Sequence, residues 1–335
     1  MAGSDLVDSL QEIFLPEKGR DALKRNWYRP TWWATNAIPF VLMRGYFEVM
    51  KYRGTDIVEE DWDNLIILDA CRYDHFRELS PVPGRLESRW SMASSTGLFL
   101  RRNFEHRTCH DTVYVTGNPM YRAEQYGYDE SVGRSTFHDT VDVWETDWDE
   151  EFNTVRPEAM VDPSKEAHDE YADKRLIVHF LQPHAPFIGE TGERIKRQSG
   201  SGVIANMVED AERRGGKPVW SLVQEGVVDV ETARQAYREN VEIALPHVAE
   251  LVSHFEGKTV ITADHGELLG EMAWPIPYRQ YGHPNRVWTK HLTRVPWHVV
   301  EGDSRREITS DPPPSNRSQD DRPEIEEKLS HLGYK

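Results

Sequence analysis

Carboxylate and imidazole side chains accompany three short apolar runs of this sequence. Asp69 ends the run NLIIL, within LDACRYD, and Asp264 and His265 follow TVIT, within ITADHGE. A third run, LIVHF, contains His179 and leads into His184 of QPHAP. A carboxylate at the end of a buried strand is costly unless a cation neutralises it. The mixed set of oxygen and nitrogen ligands favours Zn²⁺ or Mn²⁺ over Mg²⁺ or Ca²⁺.

Each of these residues also has an ordinary structural interpretation. Asp69 alone fits a helix N-cap, because aspartate is a preferred capping residue. Asp264, His265 and Gly266 alone fit a turn with a solvated histidine. Taken together, at the ends of two predicted strands, they predict a metal site at which Gly266 lets the backbone turn tightly.

The apolar runs that would position these residues predict strands of a parallel sheet. They are short, rich in β-branched residues and bounded by polar residues, as in strands buried on both faces. They comprise residues 64–68, 112–115, 176–180, 259–262 and 295–300, the last one nearer an edge because it contains Pro296. Residues 230–254 repeat apolar side chains at helical spacing. The alternation predicts an α/β fold, a three-layer α/β/α sandwich with a mostly parallel central sheet.

Three regions are expected along the chain: an N-terminal helical segment (1–60), a catalytic domain (61–300) and a polar C-terminal tail (301–335) with a short terminal helix. Within the catalytic domain, the acidic residues 140–172 predict a solvated insertion. Residues 190–229 carry glycine and arginine runs and predict a flap over a site. The start of the tail, with DPPPSNRSQDD, has few apolar residues and is expected to be extended or disordered.

Composition narrows the classes of function. The chain has 335 residues, with 57 acidic against 40 basic side chains and a formal net charge of −17. Such a balance excludes general nucleic-acid binding, which needs a basic surface to neutralise phosphates. The basic residues comprise 11 Lys and 29 Arg. Few lysines among abundant hydrated carboxylates predict a halophilic protein, the alternative being an ordinary acidic one.

Targeting features predict a cytoplasmic location. Two cysteines, Cys71 and Cys109, do not make a disulfide framework, which favours a reducing compartment. The first residues lack the basic and apolar regions of a secretory signal. Residues 32–50 are apolar but interrupted by Pro39 and Arg44, so no transmembrane segment is expected. They would pack on the domain as a helix, with peripheral membrane contact as the alternative.

The order of these motifs resembles a known family. LIILDACRYDHF, a Ser/Thr cluster about 25 residues later, VHFLQPHAPFIG, TVITADHGELLGE and TRVPW together are similar to the alkaline phosphatase superfamily. The similarity is strongest to its sulfatase-like branch, with arylsulfatases and phosphoglycerol or phosphoethanolamine transferases. It covers about residues 60–300, and ADHGE followed by RVP is its most specific part.

The resemblance implies roles for individual residues. Asp69, Asp264 and His265 match the family's metal ligands, and Thr96 matches the metal-bound nucleophile, with Ser95 and Ser94 as alternatives. His184 matches a histidine that contacts the substrate's anionic oxygens or protonates the leaving group.

Two further residues are candidates for substrate binding. His283 occupies a position that faces the substrate or a second metal in the family. Arg72 would bind the oxyanion as a bidentate donor, or would instead pair with Asp74 or Glu78.

Three features of the sequence depart from the family pattern and change the expected chemistry. Neither cysteine lies in the C-x-P-x-R context of a formylglycine sulfatase, so a Ser/Thr nucleophile and a covalent phospho-enzyme are expected. Ala70 replaces a second acidic residue beside Asp69. The helix that supplies an Asp to two-zinc relatives reads YRENVEIALPHV, which favours one divalent metal ion over two unless Glu239 or Glu242 substitutes.

These observations predict a metal-dependent hydrolase of phosphate or sulfate esters that acts through a covalent intermediate on a small-molecule or glycan ester. Two alternatives remain. One is a transferase of phospho or sulfo groups to glycans or lipids, and the other is a metal-binding homologue without catalysis. A phosphomutase-type isomerase is less favoured because the chain has room for only a small cap.

Overall fold

The computed structural model describes residues 28, 38–122, 136–200, 218–273, 278–313, 328, 331 and 332. The following description applies to these residues. Much of the predicted N-terminal segment, the middle of the predicted flap and most of the tail after residue 313 lie outside them.

A seven-stranded sheet forms the centre of the fold, in the order β2-β11-β8-β1-β7-β3-β4. All its strands run parallel except β11, which is antiparallel to both of its neighbours. Two short antiparallel hairpins, β5-β6 and β9-β10, lie outside it. The strands are β1 (Asn64–Asp69), β2 (Arg85–Trp90), β3 (Cys109–Thr116), β4 (Phe137–Asp142), β5 (Trp148–Asp149), β6 (Thr154–Val155), β7 (Arg175–Pro183), β8 (Thr259–Thr262), β9 (Leu268–Ala273), β10 (Tyr278–Gly282) and β11 (Arg294–Val300).

Helices cover both sides of this sheet, as the predicted three-layer α/β/α sandwich requires. The longest, α8, packs against β7 and against helices α2, α5 and α6. The helices are α1 (Ile38–Met50), α2 (Tyr73–Leu79), α3 (Thr96–Phe104), α4 (Val143–Thr146), α5 (Val161–Glu170), α6 (Glu190–Gly200), α7 (Val219–Gln224), α8 (Val230–His254) and α9 (Lys290–Thr293). None of the described helices is long and apolar enough to cross a membrane.

The central strands are buried on both faces, as their apolar sequences predict. Every residue of β1 and β8 is buried, since both strands lie inside the sheet with helices on either side. The two edge strands, β2 and β4, are only partly buried and were not predicted, because their polar residues hide the strand pattern. The prediction for residues 295–300 is refined: β11 lies next to the edge and is covered by β2.

The acidic region 140–172 differs from its prediction. Instead of a solvated insertion, it contributes β5, β6 and α5, and its apolar side chains belong to the main core. Trp144 and Met160 are fully buried there. Most of its acidic residues are exposed or partly exposed, on elements that are otherwise part of the domain.

The first part of the tail is extended, and its polar side chains attach it to the domain. The Arg305 guanidinium donates to the carboxylates of Asp61 and Asp63. Arg306 donates to the carbonyl of His168 within α5 and to that of Ala172 just beyond this helix. Further along the chain, Lys328 Nζ donates to the carbonyl of Trp144 at 2.8 Å and Leu332 is buried in the main core.

Candidate active site

Three predicted oxygen ligands and one predicted nitrogen ligand of a metal ion lie together at the carboxyl edge of the sheet. Asp69 is the last residue of β1, Asp264 and His265 follow β8, and Thr96 begins α3. All four side chains are completely buried. Because β1 and β8 are adjacent parallel strands, their carboxyl ends bring residues from distant parts of the sequence together.

The atoms of this group face one another at short distances. Thr96 Oγ1 lies 3.3 Å from Asp69 Oδ2 and 3.3 Å from His265 Nε2. His265 Nε2 is also 3.3 Å from Asp264 Oδ2 and 3.7 Å from Asp69 Oδ1. The predicted metal ligands Asp69, Thr96, Asp264 and His265 are therefore brought together.

Hydrogen bonding shows that these atoms offer electron pairs. His265 Nδ1 lies 2.8 Å from the carbonyl oxygen of Gly266, which only accepts, so Nδ1 carries the proton and Nε2 presents its lone pair. Burial and the neighbouring His283 hold the pKa of His265 well below its ordinary value, which keeps the ring neutral. Burial also raises the pKa of Asp264, since the chain alone accommodates its charge poorly. Two buried carboxylates, a lone pair and a hydroxyl oxygen fit a divalent cation.

Backbone donors orient both carboxylates. Asp264 Oδ1 accepts from the N–H groups of Ala70 at 3.0 Å and His265 at 2.8 Å, which directs Oδ2 toward the other ligands. Asn118, which follows β3, donates through Nδ2 to Asp69 Oδ2 at 3.0 Å. Ala70 itself has a φ of 60°, a costly conformation for a residue with a Cβ atom. Its carbonyl accepts from the hydroxyl of Tyr237 on α8 at 2.8 Å, which fixes the turn.

The three candidate hydroxyls are clearly separated. Ser94 Oγ donates to the carbonyl of Pro284 at 3.1 Å, and Ser95 Oγ lies 3.5 Å from Asn285 Oδ1. Only Thr96 contacts the metal ligands among these three. It also lies in the first turn of a nine-residue helix, whose positive end favours a developing alkoxide.

His179 joins the site although it was not among the predicted ligands. It lies on β7, beside β1, and ligand atoms of Asp69, His179 and Asp264 lie within 4.8 Å of one another. The hydroxyl oxygen of Tyr114 lies 2.7 Å from His179 Nδ1 and is hydrogen bonded to it. Burial is the main cause that lowers the pKa of His179 to about 4. Its position inside an apolar strand run, LIVHF, was the available sequence signal.

A second group of ligands adjoins the first. His184, Glu267 and His283 also offer atoms within 4.8 Å of one another. The ring of His283 lies with its centroid 4.8 Å from the rings of both His184 and His265. Glu267, which follows Gly266, was not predicted, and it lies 3.2 Å from His283 Nδ1.

The two histidines of this second group differ in how readily they take up a proton. Burial, then the nearby His283 and His265, hold the pKa of His184 well below its ordinary value. Burial also acts to lower the pKa of His283, but the negative charge of Glu267 outweighs it and raises that pKa above its ordinary value. His283 thus carries a proton more readily than His184.

Three sequence expectations about neighbouring residues are corrected. Glu239 accepts from Thr191, and Glu242 accepts from Arg238, so neither lies among the ligands. Gly266 is required for close packing rather than for a special turn, because a Cβ atom there would lie 2.1 Å from the carbonyl oxygen of His291.

Arg72 does not point toward the metal ligands. Its guanidinium donates to both oxygens of Asp74, to Glu271, to the carbonyl of Glu267 and to His291 Nδ1. These contacts occupy all five N–H donors of an arginine. The alternative in which Arg72 pairs with Asp74 is therefore the one that the structure shows.

A scan against family models finds no match, and a search of curated proteins finds no relative at the significance threshold. Among solved structures, the chain is similar to the C-terminal periplasmic domain of phosphoethanolamine transferase EptC from Campylobacter jejuni. The identity is 14% and the TM-score 0.42, with 72% of this chain and 78% of that chain covered.

Two further structures extend this similarity. The lipooligosaccharide phosphoethanolamine transferase EptA from Neisseria meningitidis has 10% identity and a TM-score of 0.47, with 84% of this chain and 59% of that integral membrane protein covered. The phosphonate monoester hydrolase from Silicibacter pomeroyi has 13% identity and a TM-score of 0.40, with 72% and 68% covered. These neighbours all belong to the alkaline phosphatase superfamily. Because their identities and TM-scores are low, the function proposed below rests on the residues of the site.

Proposed function

We propose that this chain is a metal-dependent hydrolase of phosphate or sulfate esters with Thr96 as its nucleophile. The observation that carries the proposal is the buried convergence of Asp69, Thr96, Asp264 and His265, whose atoms lie 3.3–3.7 Å apart and offer electron pairs to one position. A divalent cation bound by these residues would lower the pKa of the Thr96 hydroxyl and withdraw negative charge from the ester.

The residues of the chain divide the chemistry between them. Thr96 Oγ1 attacks the phosphorus or sulfur atom, its proton passes to Asp69 Oδ2, to which it is hydrogen bonded, and the bond to the leaving oxygen breaks. His283, paired with Glu267, donates a proton to that oxygen. Water then attacks the phosphorus or sulfur atom of the covalent intermediate, and neutral His184 accepts the proton of the water. The bond to Thr96 Oγ1 breaks, and Asp69 returns its proton to that oxygen.

His184 is positioned for this role by a neighbouring helix. Its Nδ1 atom faces the carbonyl of Ala185, which accepts, so the proton is on Nδ1 and Nε2 is an acceptor. The side-chain amide of Asn240 on α8 donates to the carbonyls of His184 at 3.2 Å and Pro186 at 3.1 Å. Helix α8, whose sequence has no Asp at the position that binds metal in the two-zinc relatives, thus holds the loop that carries His184.

The number of metal ions decides between two roles for the second ligand group. With one ion, His184 and His283 move protons as described. With two ions, His184, Glu267 and His283 would hold the second, and neither histidine would then act as a proton carrier. Counting the metal per chain by elemental analysis, in the whole protein and in the His283→Gln variant, separates the two cases.

A transferase that acts on lipids is the second candidate, and helix α1 favours it. This helix packs on the domain through Phe47 and Met43, yet Leu42 is 52% exposed and Val49 is 71% exposed. Exposed apolar residues on a packed helix fit a membrane surface better than water. Sedimentation with phospholipid vesicles tests this, with Leu42→Ser/Val49→Ser as the matched variant.

The first experiment compares p-nitrophenyl esters of phosphate, a phosphodiester and sulfate as substrates. Metal-stripped protein in molar KCl receives Mn²⁺, Zn²⁺ or Mg²⁺, and release of nitrophenol is followed. We expect metal-dependent release from one ester that Thr96→Ala abolishes. Binding of metal without release from any ester would contradict the hydrolase and would favour a transferase or a non-catalytic homologue.

A further inference from the structure

A small basic cavity lies at the same edge of the sheet as the candidate active site. Its volume is about 90 Å³, and it is lined by Arg72, Tyr73, Asp74, Arg77, Lys290, His291 and Arg294. Arg294 begins β11, which is antiparallel to β8, so its first residue lies at the edge where β8 ends. By this measure of volume one water needs about 10–15 Å³, so the cavity has room for several waters or for one tetrahedral oxyanion.

The cavity concentrates positive charge in a protein of net charge −17. Four cations and one carboxylate line it. Arg72 and Asp74 neutralise each other, with Glu271 as a second partner of Arg72. Arg77, Lys290 and Arg294 have no carboxylate within 4.0 Å among the residues that the structure describes.

Two of these cations are held by a shared aromatic ring. The guanidinium of Arg294 lies 4.2 Å from the ring centroid of Tyr73, and that of Arg77 lies 5.7 Å from it. Such contacts hold a guanidinium in place without occupying its N–H donors. The donors of both residues therefore remain available to a ligand.

Arg72 lines the cavity and donates to the carbonyl of Glu267, whereas none of the four candidate metal ligands belongs to the cavity lining. All its donors are occupied, and its side chain is 5% exposed. His291 accepts from Arg72 through Nδ1 at 2.9 Å, so its Nε2 carries the proton and adds another donor to the lining. The cavity is therefore a site rich in donors and distinct from the candidate active site.

We propose that this cavity binds one tetrahedral oxyanion, a phosphate or sulfate group, through Arg77, Lys290 and Arg294. Charge-assisted hydrogen bonds from guanidinium and ammonium groups are the usual means of recognising such groups. The group has two possible sources: a second anionic group of the substrate ester, or a free inorganic anion. The binding of the oxyanion goes beyond the proposed hydrolase and does not require it.

Calorimetric titration of the full chain with sodium sulfate, at fixed KCl, tests the site. The Asp264→Asn variant isolates the cavity from the candidate metal site, and it should keep its sulfate affinity there. Adding Arg77→Gln and Arg294→Gln to it should weaken sulfate binding by about tenfold or more, because the charged hydrogen bonds of both arginines to the oxyanion are lost. Arg53→Gln removes an exposed arginine elsewhere and should leave the affinity unchanged.

Two results would overturn the proposal. One is loss of all sulfate binding in Asp264→Asn while circular dichroism shows a folded protein. The other is unchanged affinity after Arg77 and Arg294 are both replaced. Lys290→Gln, at an exposed position, provides a second variant if the double replacement does not fold.

Kinetics with two substrates then distinguish the sources of the anion. If the cavity binds a second group of the substrate, the Arg77→Gln/Arg294→Gln variant raises KM for a bisphosphorylated sugar by about tenfold and leaves KM for p-nitrophenyl phosphate unchanged. If it binds a free anion, sulfate changes kcat for both substrates in the unmodified protein, and this change disappears in the variant. Competition by sulfate at the candidate active site raises KM alone and persists in the variant. An inactive protein would leave the calorimetric test intact.

Discussion

The backbone N–H of Ala70 donates to Oδ1 of Asp264 at 3.0 Å, across 194 residues of sequence. Through this bond the turn after β1 orients the carboxylate that follows β8. One oxygen of Asp264 is thereby used by backbone donors, and the other is directed toward His265. The ligand's orientation consequently depends on both strands being paired, as well as on the local sequence.

Replacing Asp264 by Asn should remove bound metal. Asparagine keeps the size of the side chain and an oxygen for the Ala70 N–H, but it lacks the charge that a cation requires. We expect protein dialysed against buffer to retain at least one ion per chain, and Asp264→Asn to retain none at this site, as measured by elemental analysis. Glu239→Gln, whose carboxylate binds Thr191 outside the site, is the control. Equal metal content in all three proteins would refute the assignment.

Metal should also stabilise the fold, because its ligands come together only in the folded chain. A metal at about one hundred times its Kd contributes about 2.7 kcal/mol. We therefore expect Tm to rise with the concentration of added Mn²⁺ or Zn²⁺ in the unmodified protein and to stay constant in Asp264→Asn. A parallel rise in the variant would indicate that the ion acts elsewhere.

Thr96→Ala should fold normally and lose turnover by about a thousandfold or more, since removal of a nucleophile eliminates the covalent step. Thr96→Ser keeps the hydroxyl and should recover most of the rate. Ser95→Ala serves as the matched control, because Ser95 lies in the same turn without contacting the metal ligands. Loss of activity in Ser95→Ala with a normal rate in Thr96→Ala would reverse the assignment.

The contacts that attach the tail predict a pH dependence of stability. Arg305 and Lys258 lower the pKa of Asp61 from 3.8 to about 2. A lowered carboxyl pKa means that the stabilisation is complete above pH 4 and is lost as the pH falls from about 4 through 2. Its size should stay below about 1 kcal/mol because Asp61 is exposed.

Arg305→Gln tests this contribution. Urea unfolding should show a small loss of stability at pH 7 that decreases toward pH 3. Carboxyl NMR should show the pKa of Asp61 moving upward, toward 3.8, in the variant. A stability difference that grows on acidification would contradict the assignment.

Salt dependence tests the predicted halophilic character. Carboxylates outnumber basic groups by 57 to 40, so self-repulsion should destabilise the fold at low ionic strength. We expect Tm to rise steeply between about 0.1 M and molar KCl, where the Debye length falls from about 10 Å to about 3 Å. A flat response would show that the acidic composition is not an adaptation to salt.

The strands that position the candidate site, β1 and β8, are predictable from the sequence. The runs that end at Asp69 and before Asp264 are buried on both faces, so their apolar, β-branched composition predicts strands. The polar residues that follow these runs are therefore easy to recognise as candidates for the site. Edge strands β2 and β4 have exposed polar positions and gave no comparable signal. Helix α8 was evident from its repeating apolar residues, but the contacts of Tyr237 and Asn240 with the site were not.

The contacts of three further site residues depend on neighbours that sequence order does not reveal. His179 enters the site because β7 lies beside β1, and Asn118 because β3 lies beside β7. Glu267 was visible in ADHGE, yet its pairing with His283 depends on the hairpin of β9 and β10. The sequence leaves open whether Arg72 binds substrate or pairs with Asp74 or Glu78, whereas its further partners Glu271 and His291 are brought to it only by the fold.

The distance in sequence between the ligands also has a consequence for biosynthesis. Asp69 and Thr96 are synthesised well before Asp264 and His265. A ribosome-bound fragment that ends before residue 264 lacks two of the four proposed ligands, so a metal held by all four would be loaded only after β8 has been synthesised. Incorporation of the ion would then report that β1 and β8 have paired.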